Sequence, residues 1–329
     1  MLSMSPPAVG GYFPLELGTG RGLPWLPEAV RFQSARAAIS AFFEVVKPKR
    51  VWVPNYVCQA MTDALMYSGV SIYRYPLATN RAVPVELDLE PFDWLICVDY
   101  FGMTAGSIEE AVTRFGAERI LLDASQSLFT SVTSKVSAVF SPRKFVGLPD
   151  GGLLRSKVPI VASKQADEAS SISRCSHLLT RLSGAVEEGY SSFIDAEVSL
   201  NDCTPAAMSN LTQRLLDSID FAEVKERRIR NYQWLYQTLT KLGFRGEYLP
   251  DGYVPLCYPV FGVDASLVRR RLAEKRIYLP NYWPGIELPP EDIHALELRD
   301  CTVFLPCDQR YTIEDLKRVV VAIQEAWRL

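Results

Sequence analysis

Apolar and polar residues alternate along the first half of the chain with two different periods. Short runs rich in β-branched residues, typical of buried strands, are separated by stretches whose apolar residues recur at helical spacing. Strands alternating with helices favour a mainly parallel, twisted sheet covered on both faces, which is a three-layer α/β architecture. The predicted strands are residues 50–54, 70–75, 94–100, 119–123, 136–141 and 152–155, and the predicted helices are residues 35–46, a segment up to Met66, and 108–115.

The pattern changes after Lys164, where the strand signal disappears as far as about Lys241. Long helices are predicted over residues 208–240, and the charge run at 225–228 is interpreted as a solvated helix face. Because 329 residues exceed what one core usually supports, we expect a large domain over 1–240 and a small C-terminal α/β domain over 243–329. The smaller unit is predicted to contain strands at 254–261, 276–279 and 302–305 and helices at 265–275 and 313–327.

Composition and charge narrow the classes of partner. Hydrophobic residues make up 48% of the chain and charged residues 22%, which is ordinary globular usage. A formal net charge of −3 provides no general attraction for nucleic acid or anionic membranes, so we expect neither as a partner. An anionic ligand would need a local site.

Cysteine usage and the N-terminus indicate a cytoplasmic protein without a metal centre. The seven cysteines are scattered and form none of the close pairs that a zinc site needs, so reduced thiols are expected. Residues 1–10 lack a basic region followed by an apolar segment, and no apolar stretch approaches the length of a membrane span.

Polar residues follow two successive predicted strands. Asp123 and Gln126 lie at the end of one strand, and Ser141 and Lys144 follow the next. Ligands of open α/β sheets bind outside the carboxyl ends of the strands. These four side chains are therefore predicted to share one site.

The four residue types match the needs of pyridoxal 5'-phosphate. Lys144 would form a Schiff base with its aldehyde, and Asp123 would keep the pyridine nitrogen protonated so that the ring acts as an electron sink. Gln126 would hydrogen-bond the ring's 3′ oxygen. Position favours Lys144 over Lys135, because Lys135 precedes its strand while Lys144 follows it.

The phosphate of this cofactor needs hydroxyls and backbone N–H groups at a helix N-terminus. Ser141 and the helix start at Ser34, Ala35 and Arg36 are the candidates. An ordinary capped helix start explains Ser34–Arg36 equally well when this segment is considered alone.

Several motifs resemble the DegT/StrS family of sugar aminotransferases, which have the aspartate-aminotransferase-like fold (fold type I). The resemblance is carried by Ser34-Ala-Arg-Ala-Ala38, Asp123-Ala-Ser-Gln126, Lys144 with Pro149-Asp-Gly-Gly152, Ala207-Met-Ser209 and Phe304-Leu-Pro306. It implies a homodimer that moves an amino group from L-glutamate to a keto acceptor, a nucleotide-linked keto-sugar, with Lys144 as the acid–base.

The chain also departs from the family pattern. Ser141 and Lys144 are three residues apart where the family spacing is wider, and Pro205-Ala-Ala-Met-Ser209 lacks the family's phosphate-binding Asn. The family's ring-stacking aromatic aligns with Cys58, which leaves Tyr56 as the nearest aromatic candidate.

Three alternatives stay open from the sequence. In the first alternative, Asp123 only caps or forms a turn, and Arg143 and Lys144 belong to a basic surface loop. A second alternative is another pyridoxal-phosphate reaction, a lyase or a sugar dehydration, although the dehydratase relatives carry histidine where this chain has Lys144. The third is a non-catalytic protein that retains the fold.

Overall fold

The computed structural model describes residues 15–20, 22–130 and 136–327. Its strands are β1 (Val30–Phe32), β2 (Arg50–Pro54), β3 (Ser71–Tyr75), β4 (Asp93–Val98), β5 (Ile120–Ala124), β6 (Ser137–Phe140), β7 (Gly152–Arg155), β8 (Tyr258–Phe261) and β9 (Thr302–Leu305). Its helices are α1 (Ala35–Val46), α2 (Gln59–Tyr67), α3 (Ala105–Phe115), α4 (Glu168–Arg174), α5 (Ser176–Ser183), α6 (Tyr190–Val198), α7 (Asn210–Asp217), α8 (Phe221–Lys241), α9 (Ala265–Glu274), α10 (Ile293–Asp300) and α11 (Ile313–Trp327).

Seven strands form one mixed sheet in the order β1-β7-β6-β5-β4-β2-β3. Strands β2 to β6 run parallel, whereas β7 is antiparallel to both β6 and β1. In the β5–β6 ladder Asp123 pairs with Val139 and Ala124 with Phe140, so the two strands end side by side. The predicted α/β class with a mainly parallel sheet is confirmed.

Five helices, α4 to α8, lie between residues 168 and 241, and α7 and α8 occupy the segment 208–240 where long helices are predicted. The chain then forms a two-stranded antiparallel sheet of β8 and β9. The predicted strand at 276–279 is wrong. Arg276 adopts a left-handed φ of 58°, and its N–H donates to the Ala273 carbonyl at 2.8 Å, which closes the end of α9. The sequence also failed to indicate β1 and α10.

The buried apolar side chains form one cluster that draws on both halves of the chain, from Phe42 and Leu122 to Tyr258 and Ile323. Asp292, the cap of α10, also accepts a hydrogen bond from the Asn55 side chain at 3.0 Å. The division into domains at 1–240 and 243–329 stays a prediction.

Within the described part of the chain, no helix is long and apolar enough to cross a membrane. The same residues contain no group of three or more His, Cys, Asp or Glu side chains placed to hold a metal ion. All seven cysteines are free thiols.

Candidate active site

Ser125 connects the carboxylate of Asp123 to the amine of Lys144. Asp123 is the fourth residue of β5 and is only 4% exposed; its Oδ1 accepts a hydrogen bond from the Ser125 N–H at 2.9 Å. The Ser125 hydroxyl accepts one from Lys144 Nζ at 3.2 Å. Asp123 Oδ2 receives no hydrogen bond from any residue that the structure describes, so it is available to a ligand.

A single tight turn after β6 presents Lys144. The turn spans Pro142–Lys144, and it is closed by hydrogen bonds from the Lys144 N–H to the Ser141 carbonyl and from the Phe145 N–H to the Pro142 carbonyl. Phe145 is buried at 3% exposure, whereas Lys144 itself is exposed. The turn is therefore anchored by its apolar neighbour, and the amine remains accessible.

Gln126 is buried and has half of its hydrogen-bonding capacity unused. Its Oε1 accepts from the Phe101 N–H at 3.0 Å, but its Nε2 has no partner among the described residues. A buried donor without an acceptor costs about 1–3 kcal/mol, so native structures rarely leave one in place. A ligand oxygen at this point would satisfy it.

The start of α1 combines a structural cap with free backbone donors. Ser34 Oγ accepts from the Ala37 N–H at 3.1 Å, so this hydroxyl is used in capping the helix. Arg36 donates to the Leu200 carbonyl at 2.6 Å and therefore serves packing. The N–H groups of Ala35 and Arg36 are among those that helix geometry leaves without a partner, and they are the groups suited to a phosphate.

The backbone of β7 lies directly against this helix start. A Cβ atom on Gly152 would lie 2.1 Å from the Ser34 carbonyl carbon and 2.4 Å from the Ala35 nitrogen. Only glycine fits at such a distance. The Asp150-Gly-Gly152 segment thus brings the end of the Lys144 loop and the α1 N-terminus together.

Ser141 is buried directly after β6 at 8% exposure. Its carbonyl closes the Lys144 turn, while its hydroxyl makes no hydrogen bond within the described part of the chain. The hydroxyl is therefore unengaged.

Tyr56 belongs to an aromatic cluster. Its ring stacks on Tyr100 with centroids 6.0 Å apart and meets the edge of Trp283 at 4.5 Å. Burial raises the pKa of the Tyr56 hydroxyl, which has no partner among the described residues. Trp283 is thus packed against these tyrosines.

Cys58 is the half-buried residue directly before α2. Burial raises the pKa of its thiol, and the nearby charges act in opposite directions: Lys144 lowers this pKa and Asp123 raises it. The position that aligns with the family's ring-stacking aromatic therefore carries a thiol within electrostatic range of Lys144 and Asp123.

Two residues that the sequence did not single out are tied to the site. Ser125 lies inside the Asp123-Ala-Ser-Gln126 motif, which is the sequence signal that points to it. Arg228 was interpreted as part of a solvated helix face, and this is wrong: it is 2% exposed and donates to the Phe145 carbonyl at 3.1 Å. No local pattern distinguishes it from its charged neighbours.

Comparison with known proteins bears on the architecture. No family model and no curated protein matches the sequence. Solved structures do match. The aminotransferase TlmJ from Streptoalloteichus hindustanus is 17% identical, with 91% of this chain and 85% of that chain covered and a TM-score of 0.64. The chain has the aminotransferase fold.

Two further structures share this aminotransferase fold. NtdA from Bacillus subtilis, with bound cofactor PMP, is 14% identical, with 92% of this chain and 73% of that chain covered and a TM-score of 0.66. DesI, in the presence of its TDP-sugar product, is 18% identical, with 93% and 82% covered and a TM-score of 0.64. At such low identity the likeness concerns the fold.

Proposed function

We propose that this chain is a pyridoxal-phosphate-dependent aminotransferase of the DegT/StrS type, acting in the cytoplasm. The observation that carries the proposal is the Ser125 bridge, which holds a buried carboxylate and an accessible lysine amine together at the carboxyl ends of β5 and β6. The fold shared with TlmJ and NtdA supports it.

The residues at the site fit the cofactor. Lys144 would hold it covalently, Asp123 Oδ2 would pair with the pyridine nitrogen, and Gln126 Nε2 would donate to the ring oxygen. Its phosphate would be held by the N–H groups of Ala35 and Arg36 and the Ser141 hydroxyl. When bound, the cofactor supplies an electron sink for the carbon that loses its proton.

The protein's own contribution is to hold a charge and to move a proton. Asp123 is almost fully buried, so its carboxylate would stabilise a cation at Oδ2 more strongly than a solvated one would. Lys144, once released, has an accessible amine that can remove the Cα proton of the donor in the first half-reaction. In the second half-reaction the same amine can supply a proton to the acceptor carbon that receives the amino group. Ser125 orients this amine through its hydroxyl.

For the substrates, we propose L-glutamate as amino donor and a nucleotide-linked keto-sugar as acceptor. In the net exchange the amino group of glutamate replaces the keto oxygen of the sugar, which gives 2-oxoglutarate and an amino sugar. DesI, which shares the fold, was crystallised with a TDP-sugar product, and this supports the acceptor class.

Peptide mapping after borohydride reduction tests the central assignment. The pyridoxyl group should be found on Lys144, and the visible absorption of the loaded protein should be lost in Lys144→Ala. Lys135, which lies outside the described residues, offers the matched control: Lys135→Ala should keep the absorption. A label on Lys135, or an unchanged spectrum in Lys144→Ala, would contradict the assignment.

Mixing the loaded protein with L-glutamate tests the reaction type. Formation of pyridoxamine phosphate and 2-oxoglutarate is expected. Loss of substrate without transfer of nitrogen would indicate a lyase or dehydratase, and failure to bind the cofactor at all would indicate a non-catalytic protein.

A further inference from the structure

Arg228 is a buried cation in the middle of α8. Its guanidinium lies 4.6 Å from the centre of the Phe145 ring and donates four hydrogen bonds. The acceptors are the carbonyls of Phe145 at 3.1 Å, Pro255 at 3.2 Å and Leu256 at 3.0 Å, and Gln309 Oε1 at 3.0 Å. One side chain thus holds three separate segments of the chain.

No carboxylate of the described residues lies within ion-pair distance of this guanidinium. The carboxylate of Asp308 acts on Arg228 electrostatically, but its ion pair is with Arg310 at 2.7 Å. Burial lowers the pKa of Arg228, which reflects the cost of removing its charge from water. Burying this charge without a carboxylate partner is expensive, so the four hydrogen bonds to Arg228 are needed to offset its removal from water.

The first segment held by Arg228 is the turn that carries Lys144. The Phe145 carbonyl, one residue beyond Lys144, accepts from both Arg228 and Gln309 Nε2, the latter at 2.7 Å. The guanidinium also lies over the Phe145 ring. The backbone next to the lysine is therefore fixed on both its carbonyl and its side-chain face.

A second path leads from Arg228 to Gln126. The Leu256 carbonyl accepts from Arg228, and the Leu256 N–H donates to the Phe101 carbonyl at 2.9 Å. The Phe101 N–H in turn donates to Gln126 Oε1 at 3.0 Å, which leaves Gln126 Nε2 free to point at a ligand. Both paths end on groups that we assign to the cofactor.

We propose that Arg228 is a positioning residue that sets the placement of Lys144 and Gln126 together, an inference that rests on the proposed function. It touches neither cofactor nor substrate. It acts by holding the Phe145 carbonyl and the 255–256 segment at a fixed separation, so that the amine and the amide face one ligand.

The variants remove different parts of this arrangement. Arg228→Met removes all four hydrogen bonds while keeping a long, unbranched side chain. Arg228→Lys keeps the positive charge but lacks the planar guanidinium that donates in several directions at once. Gln309→Leu removes one of the two donors to the Phe145 carbonyl and serves if Arg228→Met does not fold. Arg50→Met is the matched control, because Arg50 is a half-buried arginine that pairs with Asp93 at the opposite end of β2.

The first measurement uses the cofactor-free protein. Amide hydrogen exchange in peptides covering residues 141–148 should accelerate about tenfold in Arg228→Met and less in Arg228→Lys, because the turn loses its anchor. Arg50→Met should leave this exchange unchanged. Equal exchange in Arg228→Met and wild type would overturn the proposal.

The second measurement titrates the visible absorption band of the loaded protein against pH. The midpoint of this titration should shift in Arg228→Met, and in Arg228→Lys it should lie between the Arg228→Met and wild-type values. In Arg228→Met, kcat should also change by a larger factor than KM. Arg50→Met should match wild type in its midpoint, kcat and KM. A normal band with an unshifted midpoint in Arg228→Met would overturn the proposal. Absence of the band in wild type would instead refute the proposed function. The hydrogen-exchange measurement on the cofactor-free protein would then still test whether Arg228 anchors the turn that carries Lys144.

Discussion

At the scale of single residues, Asp123 has one oxygen engaged and one free. The engaged oxygen accepts from the Ser125 N–H, and the free oxygen is the one assigned to the pyridine nitrogen. We expect Asp123→Ala to lower turnover on the order of 100-fold, as when one electrostatic partner of a transition state is lost, while cofactor affinity falls much less.

Steady-state kinetics together with a cofactor titration measure both effects. Asp93→Asn is a suitable control, because Asp93 is a buried carboxylate at the start of β4, away from the site. Turnover of Asp123→Ala within a few-fold of wild type would show that Asp123 is only a turn former.

Ser125 permits a finer separation of roles. Ser125→Ala deletes the hydroxyl that Lys144 contacts but keeps the backbone N–H that Asp123 accepts from. We expect kcat to fall by about two- to tenfold, the equivalent of one hydrogen bond of ~0.5–1.5 kcal/mol. Ser127→Ala is the comparison variant, because Ser127 is also buried, at 1% exposure, but is not the hydroxyl that Lys144 contacts. If Ser125→Ala were as damaging as Asp123→Ala, the hydroxyl would have a direct chemical role.

At the scale of elements, the contact between β7 and the start of α1 tolerates no added atom. Gly152→Ala would place a methyl group within 2.4 Å of the Ser34 and Ala35 backbone, and backbone cannot move as a flexible side chain can. We expect a loss of unfolding free energy of about 1–3 kcal/mol, together with weaker phosphate binding.

Urea unfolding of the cofactor-free protein measures the free energy in this comparison. Gly106→Ala, in α3, is the control, since the nearest atom to its new Cβ is the Tyr253 hydroxyl at 3.8 Å. A Gly152→Ala protein as stable as wild type would show that the start of α1 can move away from β7 without loss of stability.

The starts of β2 and β4 are joined by a charge pair whose effect on stability depends on pH. Burial raises the pKa of Asp93, but hydrogen bonds from Arg50 and Trp52 outweigh it and hold this pKa below its ordinary value. A carboxylate with a lowered pKa in the folded state stabilises the protein above its unfolded pKa of about 3.9, and the effect is lost as pH falls through the folded value.

Thermal unfolding between pH 7 and pH 3 checks the direction in which the stabilisation by Asp93 changes with pH. The Tm of wild type should exceed that of Asp93→Asn by a constant amount down to about pH 5, and the difference should shrink below about pH 4. A difference that grew on acidification would mean that burial, and not Arg50, dominates at Asp93.

At the scale of the whole molecule, the helices α4 to α6 expose a group of large apolar side chains. A homodimer, implied by the resemblance to the DegT/StrS family, would cover such a surface. We predict that sedimentation shows a species of twice the chain mass and that Leu182→Glu shifts it toward monomer. The group comprises Ile172, Leu179, Leu182, Tyr190, Phe193, Ile194 and Val198.

Val321→Glu on α11 is the control, because Val321 is exposed at 53% but lies outside this group. It should leave the mass unchanged. A wild-type chain that is monomeric and active would exclude a dimer with shared active sites, and a dimer insensitive to Leu182→Glu would place the interface elsewhere.

Local pattern was enough to determine the class of fold and most of its elements, although β1 and α10 were missed. Predicted and observed bounds agree at α1, β2, β7, β9 and α11, because alternation of apolar residues depends only on near neighbours in the chain. The chain direction of parallel strands also placed Asp123 and Lys144 at one edge of the sheet.

The tertiary structure decided what depends on distant segments. The strand order, the reversed β7 and the hydrogen bond from Lys144 to Ser125 have no local signature. Arg228 shows the reason most clearly: its acceptor at Phe145 is 83 residues away in the chain, and only folding turns one of several helix charges into a buried anchor. Burial of a polar side chain is a property of its neighbours in space, which local periodicity does not encode.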